Sequence, residues 1–258
     1  MIPVPAIPPG ECPNALSRQM SKTRSPFVIY SPLHCLVNSL INPLPLQIIM
    51  DVVPVPPHRP DPHIADRAQR FAHALLRHAP PVHPDAGFFA AVVGTSLAHQ
   101  DLARSGLSPA ELHDLLDALF PGSLTGHDTA LSALRDQYAA YVGTGLSDLQ
   151  PGFTLLMRVL FDAYRTPGLD TTPWVSSILA HACLRPDHLW RDLGLSGRED
   201  VTALLARHYP GLVSRNVDNL RWKKFLAYSA REHAGLPVAA APGCGDCEDS
   251  GFCYPAAA

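Results

Sequence analysis

Three of the six cysteines in this chain lie within ten residues near its C-terminal end. Cys244, Cys247 and Cys253 follow the spacing C-x2-C-x5-C, and glycines lie between and beside them. Thiolates at such spacing can bind one metal ion or one iron–sulfur cluster, because glycine lets the backbone fold back tightly around it. The alternative is a reduced, disordered segment whose thiols bind nothing. The spacing favours the metal or cluster site, although no fourth ligand stands in the obvious place.

A basic run precedes the cysteines. Residues 221–225, Arg-Trp-Lys-Lys-Phe, combine three cations with two aromatic side chains. At helical spacing Trp222 and Phe225 share a face that we expect to be buried, while Arg221 and Lys224 share another. One interpretation is a solvated basic face. The other is a cationic patch beside the cysteines, which holds an oxyanion or balances an anionic cluster.

Acidic residues follow the first two thiols of the motif. Asp246, Glu248 and Asp249 would repel an anion brought to the thiolates, so we expect any anion contact on the basic helix. Further back, His181 and Cys183 lie two residues apart and point in different directions on a helix. We interpret them as a capping histidine and a buried thiol, with Cys183 a remote ligand if the cysteine segment folds back over it.

The elements that must position these residues are helical. Ser108-Pro109-Ala110-Glu111 has the composition of a capping box with proline at the first helical position. Apolar residues recur at steps of three and four, and no convincing alternating pattern predicts a strand. We therefore predict an all-α domain over residues 63–235, with helices at 64–76, 88–102, 109–119, 131–141, 149–164, 172–182, 199–208 and 213–233.

The N-terminal region has a different composition. Of the 27 prolines, 14 lie in residues 1–62, where they disfavour a packed helical core. We interpret residues 1–62 as a disordered extension. Met50 is a second candidate start, and we expect residues 1–49 to be dispensable for stability and metal content.

Charge and composition exclude several functions. The formal net charge is −3 and the pI about 6.5, which argues against nucleic-acid and membrane-surface binding. No run of 18 apolar residues predicts a membrane span. Closely spaced, unpaired cysteines without a signal peptide favour the cytoplasm. No P-loop, dinucleotide-binding glycine pattern, H-E-x-x-H or G-x-S-x-G is present, so the sequence does not predict an enzyme.

Three segments together resemble the NifQ family of nitrogen-fixation proteins: residues 181–195, residues 221–225 and the closing C-x2-C-x5-C. The resemblance is clearest over residues 175–253. It implies a protein that binds molybdenum as part of an iron–sulfur cluster through Cys244, Cys247 and Cys253. It further implies that the protein donates molybdenum, acquired as molybdate, to proteins that assemble the iron–molybdenum cofactor of nitrogenase. Such a protein is a carrier and not an enzyme.

The chain departs from the family pattern at one position. The family motif is C-x4-C-x2-C-x5-C, and its first cysteine corresponds here to Ala239. Three thiolates suffice for a cluster of three irons, whose open corner can take molybdenum. His233, Asp246 and Cys183 are the candidate substitutes for the missing ligand.

Two other interpretations of residues 236–258 stay open. The first is a zinc-stabilised helical interaction module, in which His233 or Cys183 completes a tetrahedral site with the three thiolates. The second is a thiol redox protein that uses Cys244 and Cys247, although no thioredoxin-like βαβ pattern accompanies this pair.

Overall fold

The computed structural model describes residues 62–147 and 150–255. Over these residues it contains α-helices and short 3-10 helices but no strand, which confirms the predicted all-α fold. The predicted N-terminal extension lies outside the described residues except for Pro62, which begins the first helix. The α-helices are α1 (Pro62–Leu76), α2 (Ala86–Ala98), α3 (Pro109–Leu119), α4 (Ser132–Thr144), α5 (Pro151–Tyr164), α6 (Thr172–Ala182), α7 (Leu189–Asp192), α8 (Arg198–His208), α9 (Pro210–Arg215), α10 (Trp222–His233) and α11 (Ser250–Cys253).

Helix α2 lies at the centre of the core. Eleven of its thirteen residues are buried, as its almost uniformly apolar and small sequence requires. Gly94 is the point at which α1 crosses it most closely. A Cβ atom at Gly94 would lie 2.6 Å from the carbonyl oxygen of Ala68. The absence of a side chain therefore allows the two helix backbones to pack directly against each other.

The predicted start of α3 is confirmed in detail. The Ser108 side chain accepts a hydrogen bond from the Glu111 N–H, at 3.2 Å. The Glu111 carboxylate in turn accepts from the Ser108 N–H, at 2.8 Å. Two backbone donors that have no partner within the helix are thus satisfied by a local sequence pattern.

The predicted helix over residues 213–233 is wrong at its N-terminal part. Helix α9 ends at Arg215 and α10 begins only at Trp222. Between them the Asn216 side chain accepts from the Leu220 N–H at 2.8 Å and donates to the Leu220 carbonyl at 3.0 Å. Asn219 adopts a positive φ of 51°. Asparagine side chains that bond to the backbone in this way compete with helix formation.

The last helices and the C-terminal segment form one side of the molecule. Helix α10 packs against α5, which also packs against α6. Trp222 and Phe225 are buried, as their helical spacing predicts. Residues 236–255 then fold back over the loop between α6 and α7. None of the helices described is both long and apolar enough to cross a lipid bilayer.

Candidate metal-binding cleft

The three predicted thiols surround a small cleft between residues 236–255 and the helical domain. The cleft has a volume of about 50 Å3, which is space for a few water molecules. Cys244 is buried, and Cys247 and Cys253 are half-buried. The cations of the basic run line the same cleft as the cysteines, together with side chains that precede α7: Arg221, Lys223, Lys224, Asp187 and His188.

A close backbone approach brings the cysteine segment to this position. Gly243 lies directly against the backbone of Leu184 and Arg185, and a Cβ atom at Gly243 would be 2.6 Å from the Leu184 carbonyl oxygen. A side chain there would push the segment off the domain. The next residue, Cys244, is thereby buried beside the α6–α7 loop.

Ion pairs hold the rest of the segment against the domain. Arg221 contacts Asp249 at 2.7 Å, and Arg191 contacts Glu248 at 2.8 Å. The Lys224 ammonium donates a hydrogen bond to the Cys253 carbonyl. Pairing with arginines offsets the charges of Glu248 and Asp249, which weakens the repulsion that we expected these two residues to exert on an anion at the thiolates.

Lys223 does not belong to a solvated basic face. It is buried, and its ammonium donates to the Arg185 carbonyl at 2.7 Å, to the Asp187 carbonyl and to the Asp192 carboxylate at 2.5 Å. All three acceptors lie on the α6–α7 connection or on α7. Lys223 thus ties α10 to the loop that carries His188. Arg221 is also misplaced by the helical prediction, since it precedes α10 with extended dihedral angles.

The side chains around Asp192, next to the cleft, carry an excess of positive charge. One buried carboxylate, Asp192, is contacted by three cations: Lys223 at 2.5 Å, Arg185 at 3.3 Å and Arg104 at 3.8 Å. Burial and the neighbouring Arg185 lower the pKa of Arg104 to about 10. This arginine still carries its charge at neutral pH. A ligand with negative charge is therefore favoured in the cleft above it.

Two opposing effects act on the pKa values of Cys247 and Cys253 in the cleft: burial raises them, and nearby donors and cations lower them. Burial raises the pKa of Cys247, although the Asp249 N–H and the Lys223 ammonium favour its thiolate. Burial and the neighbouring Cys244 raise the pKa of Cys253. These thiols are protonated at neutral pH, and metal binding must displace their protons.

Two further groups lie close to Cys244. Burial raises the pKa of Cys183 to about 12, so this thiol is inert. Burial and the adjacent Cys244 also raise the pKa of Tyr254. Its phenol therefore keeps its proton beside Cys244 and can donate it to a thiolate there.

The spacing of the three sulfurs differs from that of a tetrahedral zinc site. Zn–S bonds of about 2.3 Å in a tetrahedron bring thiolates to about 3.8 Å from one another. The Cys244, Cys247 and Cys253 sulfurs are not all within 4.8 Å of each other. In the described part of the chain, one group of three candidate ligands satisfies this distance, and it contains Asp187, His188 and Glu248 instead. A cluster binds each thiolate through its own iron atom, so it accepts wider spacing.

The three proposed substitutes for the missing cysteine do not line the cleft. The His233 ring instead packs against Tyr164, with ring centroids 6.2 Å apart. Asp246 is exposed, and Cys183 is completely buried in the core. Ala239 likewise lies outside the cleft lining.

Asp187 and His188 line the cleft but were not predicted as site residues. Both belong to the segment over 181–195 that the sequence singled out, yet no local spacing relates them to the cysteines. His188 lies 60 residues from Glu248, its hydrogen-bond partner at 3.2 Å. The signal in the sequence that could have indicated them is the short polar segment over residues 185–188, between the end of α6 and the start of α7.

Comparison with known proteins places the cleft within a region shared by a family. The NifQ family profile matches residues 88–255. The chain is 34% identical over 173 residues to the Protein NifQ homolog of Sinorhizobium fredii, which covers 64% of this chain and 70% of that protein. It is 47% identical over 81 residues to Protein NifQ of Azotobacter vinelandii, covering 31% of this chain and 42% of that protein. Identity to Protein NifQ of Rhodobacter capsulatus is 36% over 137 residues, or 51% of this chain and 74% of that protein. No solved structure is significantly similar to it.

Proposed function

This chain belongs to the NifQ family of nitrogen-fixation proteins, and we propose from that premise that it carries molybdenum within an iron–sulfur cluster. Cys244, Cys247 and Cys253 bind the iron atoms of this cargo. The protein donates its molybdenum to the assembly of the nitrogenase iron–molybdenum cofactor. It acts as a carrier and not as an enzyme.

The observation that supports the proposal most strongly is that thiols and cations line the same cleft. Cys244, Cys247 and Cys253 line one cleft with Lys223 and Lys224. A cluster built of sulfides and thiolates is anionic, so its transfer into a partly buried site requires nearby positive charge. The cations around Asp192 supply that charge from beneath the cleft.

The chemistry of the donors supports the same cargo. Thiolates are soft ligands that favour iron–sulfur clusters and zinc over hard oxygen-seeking cations. The three sulfurs do not all lie within 4.8 Å of one another, as thiolates on one zinc ion would, and this argues against zinc. The Tyr254 phenol lies beside Cys244 and provides a donor that can stabilise negative charge on sulfur. The Lys224 ammonium donates to the Cys253 carbonyl and so adds a positive charge next to the cysteines.

A carrier must also release what it binds. Cys247 and Cys253 are only half-buried, so the cargo stands close to the protein surface. The proteins that assemble the nitrogenase cofactor are the proposed recipients, and molybdate is the proposed source of the metal. Direct docking of a recipient over this side of the molecule would exclude water during transfer.

Anaerobic purification followed by analysis of molybdenum, iron and zinc tests the proposal. We expect a brown protein with broad visible absorption that contains iron and molybdenum. Cys244→Ala, Cys247→Ala and Cys253→Ala should each remove most of both metals, because three ligands leave no redundancy. The matched control is Cys183→Ala, which removes a thiol outside the cleft lining and should retain both metals.

A different result would support the zinc-stabilised interaction module. If iron-replete, anaerobic preparations are colourless and contain one zinc ion and no iron, the cluster proposal is wrong. If they contain iron but no molybdenum after reconstitution with molybdate, the protein binds a cluster and is not a molybdenum carrier.

A further inference from the structure

A second set of metal-ligand side chains lies at the rim of the cysteine cleft. The ligand atoms of Asp187, His188 and Glu248 all lie within 4.8 Å of one another, and they form the only such group of three within residues 62–147 and 150–255. They offer one imidazole nitrogen and two carboxylates. These are hard or intermediate donors, unlike the thiolates.

This rim group is continuous with the cysteine site. Asp187 and His188 line the same cleft as the three thiols, and Glu248 directly follows Cys247 in the chain. His188 Nε2 lies 3.2 Å from the Glu248 carboxylate and 3.6 Å from that of Asp249. Glu248 is exposed, so the group stands at the mouth of the cleft.

Neighbouring side chains hold the rim group in place. The His188 ring stacks on Trp190 with centroids 6.3 Å apart. Arg191 contacts one oxygen of Asp187 at 3.1 Å and one oxygen of Glu248 at 2.8 Å, so it leaves the second oxygen of each carboxylate outside these contacts. The backbone of Asp187 is held from below by Lys223. Metal ligands commonly require this kind of outer support.

We propose that His188, assisted by Asp187 and Glu248, supplies the ligands to the molybdenum of the cargo while the three thiolates hold its iron atoms. The inference rests on the proposed function and deepens it. A cluster with three thiolate-bound irons has one corner without a protein sulfur, and the rim group lies beside the cleft that these thiols line. Nitrogen and oxygen donors at the mouth suit a metal that enters as an oxyanion. The molybdenum is then the metal nearest to solvent and to a recipient.

The test compares molybdenum retention in two variants and a control. The full chain and its variants are reconstituted anaerobically with ferrous iron, sulfide, molybdate and dithionite as the reductant, and the molybdenum-to-iron ratio is measured after gel filtration. His188→Ala should lower molybdenum affinity on the order of 10-fold or more while iron content stays unchanged. Glu248→Gln keeps the shape of an exposed side chain and should lower the ratio by a smaller factor. His233→Ala removes a histidine outside the cleft lining and should leave the ratio unchanged.

X-ray absorption at the molybdenum edge gives an independent readout. We expect the wild-type protein to show the multiple scattering of a bound imidazole ring, which is lost in His188→Ala while carboxylate oxygen scatterers remain. If both rim variants keep the wild-type ratio and spectrum, the group is an ordinary ion-pair cluster and the inference is wrong while the carrier function stands. If His233→Ala alone loses molybdenum, the ligand is His233. A wild-type protein without iron would instead refute the proposed function itself.

Discussion

Two polar clusters in this protein differ in how completely they are closed. In the first, the buried Asp85 carboxylate contacts Arg207 at 3.0 Å, His208 at 3.2 Å and Thr171 at 3.2 Å. His208 also bonds to Thr172 at 2.9 Å, so its two ring nitrogens are both engaged. The cluster joins the start of α2 to α6 and α8, and its residues are absent from the lining of the cysteine cleft.

The cysteine cleft has the opposite character. Two of its three thiols are partly exposed, and three cations, of which Lys223 is buried, contact the single carboxylate of Asp192. A saturated internal network stabilises a fold, whereas a cleft with excess positive charge and solvent-accessible thiols can bind a ligand. The comparison explains why a buried histidine and aspartate are assigned to structure here, whereas one buried and two half-buried cysteines around a cleft are assigned to function.

The largest expected effect comes from breaking the closed cluster. Asp85→Asn leaves His208 and Arg207 without their carboxylate, and loss of one partner from a buried ion pair costs about 3–5 kcal/mol. The free energy of unfolding in urea should fall by that amount, while the iron and molybdenum content of the folded protein stays unchanged. Asp136→Asn, at an exposed position of α4, is the control and should change stability by less than about 0.5 kcal/mol. Loss of metal in the folded Asp85 variant would contradict the separation of the two clusters.

Lys223→Met should affect both properties, because Lys223 connects the cleft to the core. The substitution removes hydrogen bonds from a buried ammonium but leaves Asp192 with Arg185 and Arg104. We expect a loss of about 1.5–3 kcal/mol in unfolding free energy. Metal loading should also fall, since the loop that carries His188 loses its tie to α10. Normal loading measured by metal analysis would show that Lys223 serves stability alone.

The stability that Asp85 contributes should depend on pH. Burial alone would raise the pKa of Asp85, but the hydrogen bond and charge of His208 and the charge of Arg207 lower it below the ordinary value of 3.8. A carboxyl whose pKa is lowered by folding contributes stability above its unfolded pKa and loses it as the pH falls through the folded pKa. The stability difference between the wild type and Asp85→Asn should therefore shrink below about pH 3.8. A difference that stays constant from pH 6 to pH 2 would contradict this role.

The smallest effect on stability is expected at the open cleft. The Arg221 side chain is about half exposed, at 46%, so Arg221→Ala should cost less than about 1 kcal/mol in unfolding free energy. It should nevertheless lower metal loading, because the Asp249 contact holds the cysteine segment against α10. Arg77→Ala serves as the matched control, because it breaks an ion pair of similar length, with Asp128, whose residues do not line the cleft. Equal metal loading in the two variants would assign Arg221 to an ordinary surface ion pair.

The amino-acid sequence by itself determined the local features of this protein. The all-α fold, the capping box at Ser108 and the inward faces of Trp222 and Phe225 follow from patterns within a few residues, which act through helix geometry. The spacing of Cys244, Cys247 and Cys253 is also local, so the candidate ligands could be predicted before their surroundings were known. The break before α10 also has a local cause, the Asn216 side chain, which bonds to the backbone of Leu220. The prediction missed this break because it followed the helical periodicity of the apolar residues.

Only the tertiary structure decided the roles that depend on distant partners. Lys223 is a buried tie because packing brings α10 against a loop 36 residues away. Asp85 meets His208 across 123 residues, and His188 meets Glu248 across 60. Sequence periodicity specifies which face of a helix is buried, but not which charged groups the packed helices bring together. The free energy of a charged side chain depends on those neighbours and on its burial, so its role emerges only once the chain has folded.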